Sequence, residues 1–561
     1  MLKVLGLMKQ YGVANMKKIF LFFITVFLMS FIVGSFVRVE ASTSVTYDVD
    51  GIFDTSGTWD GLSGTNTRGN TLSFDISSKP AGHDFAFWII NGVVRKDLAV
   101  DHEYVFTSVN ILQIVFTPTD KVAAVFIDSN GRYLGVKYTE GGSVDDTGLI
   151  VPVARPGFVV SSTNKWTSIE GSASISDVQL NSVFVLTYEE SETPLSDVTL
   201  SVTGGTSSVA NPVPFNSLVT VTADAAPAEQ VFAGWKENGR IVSYNSEYQF
   251  SALYNRTLVA TYAASVTARP LVVMSNDLGL RSGHSTYVGQ FELPSGYTLV
   301  EYGFILTDAF LPDLKLDTTV EASETKVVAP GSNHQTLTKE FVMSFSDATV
   351  DPLTTRAYLV VKNPSNTEEI YYCEEGLMIF AAYGGGGNSG VYYRWDYAVL
   401  WNGTNDPINL SGYSLQYSAA TSNTWATAAN KTLLSGNISA RGFILIKLAS
   451  GSNTSAADLP EPYFTGSLTA MQASNIRLAL LSTIDTIPNT VSNPSTDSNW
   501  KNFVIDLLGS GTSTVFEGTV ATAMSNTTAL KRSKFKDTNN NLSDYSIVNA
   551  IDGHLSYINP S

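Results

Sequence analysis

Oxygen-bearing side chains alternate along one short segment near the end of the chain, where they could bind a metal ion. The run from Asp537 to Asp544 reads DTNNNLSD and places carboxylate or amide oxygens at Asp537, Asn539, Asn541 and Asp544. Such alternating oxygens can surround a Ca²⁺ ion. The run lacks the central glycine and terminal glutamate of a helix-loop-helix calcium site, and Asn and Asp also form ordinary turns. The sequence leaves calcium binding and an ordinary turn both open.

The other reactive residue types form no recognisable catalytic constellation. The histidines have no His-Glu-x-x-His pair or other short metal spacing; they are His83, His102, His284, His334 and His554. No Gly-x-Ser-x-Gly elbow occurs, and although a Ser-His-Asp triad can be assembled from distant residues, nothing nominates a nucleophile. The acidic pairs Asp145-Asp146 and Glu189-Glu190 are typical of solvated charge. The sequence therefore predicts no enzyme, no catalytic residue and no bound cofactor other than the calcium alternative.

An export signal is predicted at residues 16–41. Met16-Lys17-Lys18 precedes an uncharged apolar run from Ile19 to Val37, and Val39-Glu40-Ala41 follows. This order is typical of a secretory signal peptide with its cleavage site. An uncleaved anchor is the alternative, because the apolar run is long enough to span a bilayer. In both cases the remaining chain is expected to be secreted or on the cell surface, with a membrane contact only through an uncleaved segment.

Composition limits the fold and the partners. A chain of 561 residues predicts about three to five domains. The formal net charge of −17 argues against nucleic acid as a direct partner, because binding to phosphates requires Lys and Arg. The chain has a single cysteine, Cys373, so no intramolecular disulfide can form and hydrophobic cores must hold the fold. We expect Cys373 to be a buried, inert thiol.

Short strands dominate the predicted secondary structure. Apolar residues alternate with polar ones and then meet Gly, Asn, Asp, Ser or Pro, as in Val219–Ala223, Thr257–Tyr262 and Arg356–Val361. This period of two is that of a β-strand with one buried face. The predicted fold class is all-β: a multi-domain string of small β modules and β-sandwiches.

An internal repeat lies in the first half of the chain. Phe85–Gly92 (FAFWIING) matches Phe232–Gly239 (FAGWKENG), and Glu103–Phe106 (EYVF) matches Glu247–Phe250 (EYQF). The Asn-Gly pair that ends the first motif predicts a tight hairpin turn, because both positions of that turn need a positive φ. The predicted repeat units are residues 43–120, 121–195 and 197–264, of which the middle one is the most divergent.

The tryptophan of each repeat motif, Trp88 or Trp235, is predicted to fill the core of a small sheet. A sugar-stacking platform is the alternative. The unit at 197–264 resembles the B-repeats of internalin-type bacterial surface proteins, most closely at Val202-Thr203-Gly204-Gly205 and Phe232-Ala233-Gly234-Trp235. That resemblance implies small β-grasp-like spacer modules that occasionally provide interaction surfaces.

Two further segments lie between the repeats and the C-terminal region. Residues 265–381 are similar to fibronectin type III or immunoglobulin-like domains, at Tyr302–Leu306 and Arg356–Val361. The glycine-rich segment 382–391 is predicted to be a flexible linker. A phosphate-binding loop is the alternative for this segment, but no Lys-Ser/Thr pair follows it.

The region 392–550 contains a series of short motifs in a fixed order, which include Leu410–Leu415 (LSGYSL), Arg441–Ile446 (RGFILI), Phe516-Glu517-Gly518 and Ala529–Arg532 (ALKR). In these motifs the region resembles the lamin tail domain, which occurs in nuclear lamins and in many secreted bacterial proteins. The resemblance implies an immunoglobulin-like β-sandwich. Val399 stands where that family often has an acidic residue, so any role of that carboxylate is not expected here.

These features together predict a secreted or cell-surface bacterial protein that binds or scaffolds, with an unknown protein or an extracellular polymer as its partner. In this interpretation, spacer modules present a lamin-tail-like sandwich. One alternative is an accessory subunit of an extracellular nuclease or hydrolase. Another is a carbohydrate-binding protein that uses exposed aromatic side chains such as Trp395, Trp401 or Trp425.

Overall fold

The regular secondary structure of the described part of the chain consists almost entirely of β-strands. The structure is a computed structural model that describes residues 44–551 apart from short gaps at 55–58, 60, 68–69, 75, 77–78, 107–109, 129–130, 132, 150, 152–157, 191–194, 279–283, 322, 331–338, 347–352, 421–423, 452, 454 and 469. The predicted export segment at 16–41 lies outside the described residues. No helix in the described part is long and apolar enough to cross a membrane. The all-β fold class is confirmed.

The first module has seven strands in two sheets. They are β1 (Ser44–Ile52), β2 (Leu62–Thr67), β3 (Thr71–Ser73), β4 (His83–Ile90), β5 (Val93–Arg95), β6 (Glu103–Val105) and β7 (Ile111–Pro118). One sheet has the order β2-β1-β7-β4-β5, and β3 pairs with β6 in the other. The first and last strands, β1 and β7, are parallel neighbours, while β4 and β5 form an antiparallel hairpin.

The second module has six strands and a related sheet. They are β8 (Val122–Ile127), β9 (Tyr133–Thr139), β10 (Phe158–Val160), β11 (Trp166–Glu170), β12 (Ser182–Leu186) and β13 (Tyr188–Glu190). The main sheet has the order β11-β12-β8-β9, with β8 and β12 parallel, and β10 pairs with β13. This module shares one hydrophobic core with the first, made by Phe87, Ile89, Val115, Ala123, Val125, Ile127 and Val183.

The third module repeats the strand order of the first. Its strands are β14 (Leu200–Thr203), β15 (Gly205–Ser207), β16 (Leu218–Ala223), β17 (Val231–Glu237), β18 (Arg240–Ser243), β19 (Glu247–Ser251) and β20 (Arg256–Ala263). One sheet has the order β14-β20-β17-β18, with β14 and β20 parallel, and the other has the order β15-β16-β19. In the first and third modules alike, the first strand pairs in parallel with the last strand, and the hairpin lies on the other side of the last strand. The predicted internal repeat is confirmed.

Local chemistry explains the repeated hairpin. Asn91 and Gly92 have φ of 51° and 79°, and Asn238 and Gly239 have φ of 49° and 75°, as a tight two-residue turn requires. The tryptophan before each turn is buried, with 2% of Trp88 and none of Trp235 exposed. Their predicted role as core residues is confirmed.

The fourth module packs two antiparallel sheets against each other. Its strands are β21 (Leu271–Met274), β22 (His284–Glu292), β23 (Thr298–Thr307), β24 (Lys326–Pro330), β25 (Glu340–Ser346), β26 (Thr354–Lys362) and β27 (Glu368–Tyr372). The sheet orders are β21-β22-β25 and β24-β23-β26-β27. Cys373 lies in the core of this module with 1% exposed, and its Sγ accepts a hydrogen bond from the Ala357 amide at 3.2 Å. The prediction of a buried thiol is confirmed.

Within its described residues, the C-terminal sandwich contains twelve strands, one 3₁₀ turn and one short helix. They are β28 (Leu377–Tyr383), β29 (Trp395–Asn402), β30 (Ile408–Asn409), β31 (Ser414–Ala419), the 3₁₀ turn Ala428–Asn430, β32 (Lys431–Leu433), β33 (Asn437–Ile438), β34 (Phe443–Ser450), β35 (Phe464–Thr465), β36 (Ile476–Leu481), β37 (Val504–Gly509), β38 (Thr528–Arg532), α1 (Asn541–Asp544) and β39 (Tyr545–Asn549). A sheet of order β35-β34-β29-β28-β38-β39 faces a sheet of order β32-β31-β36-β37, and β30 pairs with β33. Apolar side chains of both sheets form the core between them.

The glycine-rich segment is part of this sandwich and not a flexible linker, so that prediction is wrong. Residues 384–387 are buried. The Gly386 amide donates to Asp396 Oδ1 at 2.8 Å, and a Cβ on Gly386 would overlap the backbone of Trp395. These glycines allow two backbone segments to approach closely. The strand before them, β28, lies inside the six-stranded sheet, so the sandwich begins at Leu377 and not at residue 392.

Buried or half-buried polar side chains of the fourth module join it to the third. Glu292, at the end of β22, accepts hydrogen bonds from Ser243 Oγ at 2.5 Å and from the Tyr244 amide at 2.8 Å. On the same strand, Gln290 Oε1 accepts from the Tyr248 hydroxyl at 2.6 Å. These groups cap strand ends of the third module, so the junction satisfies polar groups that would otherwise be buried without partners.

Glu375 joins the third module to the C-terminal sandwich. Its carboxylate is 4% exposed and lies 3.0 Å from Arg240 Nη1 in the third module. Lys536 of the sandwich forms an ion pair with the same carboxylate. Arg441 of the sandwich donates from Nε to the Pro312 carbonyl of the fourth module at 2.8 Å. The three C-terminal modules are thus held together by charged hydrogen bonds as well as by apolar contacts.

Glu301 makes a corresponding contact between the first and fourth modules. Its carboxyl group is 7% exposed and accepts hydrogen bonds from Asn91 Nδ2 at 2.9 Å and from the Tyr358 hydroxyl at 2.6 Å. Asn91 is the same residue that turns the β4–β5 hairpin. Burial raises the pKa of Glu301 to about 7, because the charged form loses its hydration.

We expect Glu301→Gln to change how the stability of the fourth module depends on pH. A carboxyl whose pKa is raised in the folded state stabilises the fold fully below its unfolded pKa, and that stabilisation is lost as the pH rises through about 7. The loss amounts to about 3 kcal/mol between pH 4.5 and pH 8. The glutamine variant should therefore gain about this amount relative to the wild type over that range.

Hydrogen exchange of peptides from β23 and β26 measures this local stability when the variant and the wild type are compared at each pH. The exposed Glu247→Gln substitution on β19 is the control for removal of one charge. A Glu301→Gln variant whose stability stays parallel to that of the wild type across the range would contradict the prediction.

Candidate metal centre

A bulge in β28 explains why an acidic residue lies inside the C-terminal sandwich. The pairing of β28 with β29 shifts register between Ile379 and Ala381. The Ile379 amide donates to Asp506 Oδ2 of β37 at 2.7 Å. Asp506 is fully buried in the otherwise apolar strand VIDLLG, so its carboxylate satisfies a backbone group that lies inside the protein.

Arg532 completes the contacts around Ile379. It is 1% exposed at the end of β38, and its Nε donates to the Ile379 carbonyl at 3.0 Å. Its Nη2 lies 2.7 Å from Asp506 Oδ2, and its Nη1 lies 3.1 Å from Asp544 Oδ2. The guanidinium also stacks on the Tyr545 ring at 4.7 Å. One buried cation therefore holds β28, β37, β38 and α1 together.

Two further carboxylates lie beside Asp506. Asp506, Glu517 and Asp537 each offer one oxygen, and these oxygens all lie within 4.8 Å of one another. Asp506 Oδ1 and Glu517 Oε2 are buried and accept no hydrogen bond from any residue that the structure describes. We call Asp506, Glu517, Asp537 and Asp544 the acidic cluster.

The acidic cluster is short of positive charge. Burial, together with the neighbouring Asp537 and Asp506 carboxylates, raises the pKa of Glu517 well above its usual value, although Arg532 opposes this. Burial likewise raises the pKa of Asp506 and of Asp544 to about 6, again against the effect of Arg532. Arg532 forms ion pairs with Asp506, Asp537 and Asp544 but not with Glu517, so the cluster has the capacity to take up a further cation.

The structure does not assemble the four calcium ligands that the sequence suggests. Asn541 is fully buried, and its Oδ1 accepts from the Gly509 amide at 2.8 Å while its Nδ2 donates to the Leu507 carbonyl at 2.9 Å. Asp544 pairs with Arg532 and accepts from Thr538 Oγ1 at 2.6 Å. Asn539 is exposed. Of these four residues, only Asp537 offers an oxygen to the group formed with Asp506 and Glu517, whereas Asp544 pairs with Arg532. The predicted ligand set of Asp537, Asn539, Asn541 and Asp544 is therefore corrected.

The tryptophans suggested as sugar platforms are mostly internal. Trp401 and Trp425 have no exposed surface, so their predicted role as exposed stacking groups is wrong. Trp395 is half-buried, its Nε1 donates to Asp458 Oδ1 at 2.8 Å, and Lys447 Nζ lies 4.6 Å from the centre of its ring. The main role of the aromatic rings at these three positions is packing.

Sequence reasoning missed Asp506 and Glu517. Glu517 lies within the family motif Phe516-Glu517-Gly518, and neither residue stands in a sequence pattern typical of a metal ligand. The available signal was a single acidic residue inside the apolar strand VIDLLG, because a buried carboxylate needs partners. Its neighbours come from segments 11 and 31 residues further along, and this proximity exists only in the folded chain.

Comparisons with known proteins do not identify a family. No protein-family model matches the chain, and no curated protein matches it. Among solved structures, a DUF4876 family protein from Bacteroides thetaiotaomicron is similar over 44% of this chain and 91% of its own, with 10% identity and a TM-score of 0.22. The major pilin subunit of Bacillus cereus is similar over 64% of this chain and 87% of its own, with 8% identity and a TM-score of 0.11. TM-scores this low identify no shared fold with either protein.

What the structure itself defines is an all-β multi-domain protein with a buried acidic cluster in its last domain. The resemblances to internalin B-repeats and to the lamin tail domain stay predictions. The same holds for the predicted domain boundaries that the sheet topology does not address.

We expect Arg532→Met to destabilise the C-terminal sandwich by about 3–5 kcal/mol, because it leaves buried carboxylates without their cation. Arg95→Met is the matched control. Arg95 also lies 2.7 Å from an aspartate, Asp97, but both side chains are exposed, so its loss should cost at most about 1 kcal/mol. Differential scanning calorimetry of both variants measures the difference. Equal shifts of the unfolding temperature would show that Arg532 is not the cation that holds this region together.

Proposed function

We propose that this chain is a bacterial secreted or cell-surface protein that binds or scaffolds. In this proposal, the β modules that precede the C-terminal sandwich present it to a protein or polymer partner. The observation that carries this proposal is the set of buried polar junctions between modules. A scaffold must fix the orientation of the domain that it presents, and charged hydrogen bonds at Glu292, Glu375 and Arg441 are suited to this.

The contact surface in this proposal lies on edge strands and loops of the sandwich. The interior between the two sheets is filled by apolar side chains, and Trp401 and Trp425 are part of the packed interior. Exposed apolar side chains instead occur at the edge of the four-stranded sheet, where Leu433 on β32 and Ile484 after β36 are 54% and 52% exposed. Exposed apolar groups at an edge are available for contact with a partner.

Fixed module orientation can be tested with spin labels. Leu218 on β16 and Leu433 on β32 are exposed, so replacing both with cysteine gives one label in the third module and one in the sandwich. The native Cys373 is buried and should remain unlabelled. We expect pulsed electron paramagnetic resonance to give one narrow distance distribution. Adding Glu375→Gln should broaden it, because the junction loses its charge. A broad distribution in the labelled parent protein would refute a rigid scaffold.

Location outside the cytoplasm is a separate test. The full chain with a C-terminal tag, expressed in a bacterial host, should reach the medium, the periplasm or the cell surface, where added protease cleaves it. A matched chain without residues 19–37 should stay in the cytoplasm, because the apolar core of the export signal is missing. Retention of the full chain in the cytoplasm would exclude an extracellular role.

A further inference from the structure

Three segments that are separate in sequence bring carboxylates to one point of the C-terminal sandwich. Asp506 comes from β37, Glu517 from the loop that follows β37, and Asp537 from the loop that follows β38. One oxygen from each lies within 4.8 Å of the other two. Like charges at this distance repel strongly inside a protein, so the arrangement needs a compensating group.

Arg532 provides only part of that compensation. Its guanidinium binds Asp506 through Oδ2 and Asp544 through Oδ2, at 2.7 and 3.1 Å, and its nearest nitrogen lies 3.6 Å from Asp537 Oδ1. The structure shows no ion pair between Arg532 and Glu517. The positive charge therefore lies on one side of the acidic cluster.

Two buried oxygens on the other side have no donor among the described residues. Asp506 has no exposed surface, yet its Oδ1 accepts no hydrogen bond there. Glu517 Oε2 is in the same situation. Leaving a buried acceptor without a partner costs roughly 1–3 kcal/mol, and more for a charged group. Two such oxygens in one group of three carboxylates indicate a ligand that binds carboxylate oxygen.

The chemistry of the donors selects a hard cation. Carboxylate oxygens suit Ca²⁺, Mg²⁺ or Mn²⁺, whereas the site has no thiolate or imidazole for Zn²⁺ or copper within the part of the chain that the structure describes. Ca²⁺ binds oxygen at about 2.3–2.6 Å in irregular geometries, so oxygens on opposite sides of it lie about 4.6–5.2 Å apart. Mg²⁺ requires about 2.0–2.1 Å and a near-ideal octahedron, and it usually keeps several waters and binds only one or two carboxylates, so three protein carboxylates favour Ca²⁺.

We propose that Asp506, Glu517 and Asp537 form a Ca²⁺ site that joins β37 to the two loops after β37 and β38. The ion would lie beside Arg532 and would supply the positive charge that the guanidinium does not. Asn276 of the fourth module donates from Nδ2 to the Asp537 carbonyl at 2.8 Å, so the same loop also contacts the neighbouring module. Calcium would thereby strengthen both the sandwich and its junction with the fourth module.

The first test is isothermal titration calorimetry, in which CaCl₂ is added to residues 44–561 after treatment with a chelator. The second test measures thermal unfolding of the same protein in EDTA and in CaCl₂. We expect one Ca²⁺ per chain and an unfolding temperature that rises with calcium. Glu517→Gln should weaken binding at least about tenfold, since affinity follows the charge of the ligands. In EDTA this variant should be as stable as the wild type or more stable, because it removes a repelling charge from the cluster.

Two further proteins sharpen the comparison. Asn539→Gly lies in the same loop, keeps the positive φ of 53° at that position and removes the exposed amide, so it should bind calcium like the wild type. Asp537→Asn replaces Glu517→Gln if that variant does not fold. No calcium binding by the wild type, binding that survives in the Glu517 and Asp537 variants, or tighter binding of MgCl₂ than of CaCl₂ would overturn the proposal.

Discussion

Burial of carboxylates against backbone amides is the interaction on which the rest of this structure depends. The chain has one cysteine and no possibility of an internal disulfide, and its strands are short. In several places a buried acid binds two segments that are distant in sequence. Asp396 accepts from the Gly386 amide at 2.8 Å and from the Met471 amide at 2.6 Å. Asp506 likewise accepts from the Ile379 amide at 2.7 Å and pairs with Arg532. Charged acceptors make stronger hydrogen bonds than neutral ones, so these contacts do in part what covalent cross-links do in disulfide-bonded proteins.

The same acids connect local irregularity with the arrangement of modules. The bulge at Ile379 leaves an amide that Asp506 binds, and the Asn91 turn presents an amide side chain that Glu301 binds. The bulge at Ile379 and the turn at Asn91 interrupt regular strand pairing, and each thereby supplies a polar group that binds another element. Buried arginines such as Arg532 balance part of the negative charge of these carboxylates. In the acidic cluster, two carboxylate oxygens have no hydrogen-bond donor among the described residues.

The sequence predicted the strands, the Asn-Gly hairpins, the repeat and the buried tryptophans because these depend on neighbouring residues. Phe85–Gly92 and Phe232–Gly239 contain the whole signal for their turn within eight residues. The glycine-rich segment was misjudged, because composition alone does not show whether a glycine is mobile or packed against another backbone, as Gly386 is. The sequence indicates Asp537 but neither Asp506 nor Glu517 as a ligand for a related reason: these three residues become neighbours only through the packing of β28, β37 and β38.

The core shared by the first two modules has a consequence for how the chain acquires its structure. Phe87, Ile89 and Val115 are covered by side chains of the second module, including Val183 on β12, and only three residues separate β7 from β8. A chain that emerges from a ribosome or a translocation channel, amino end first, cannot close this apolar face until about residue 186 is available. The two modules must therefore mature as one unit, and during that interval the uncovered face of β4 and β7 is a natural target for chaperones.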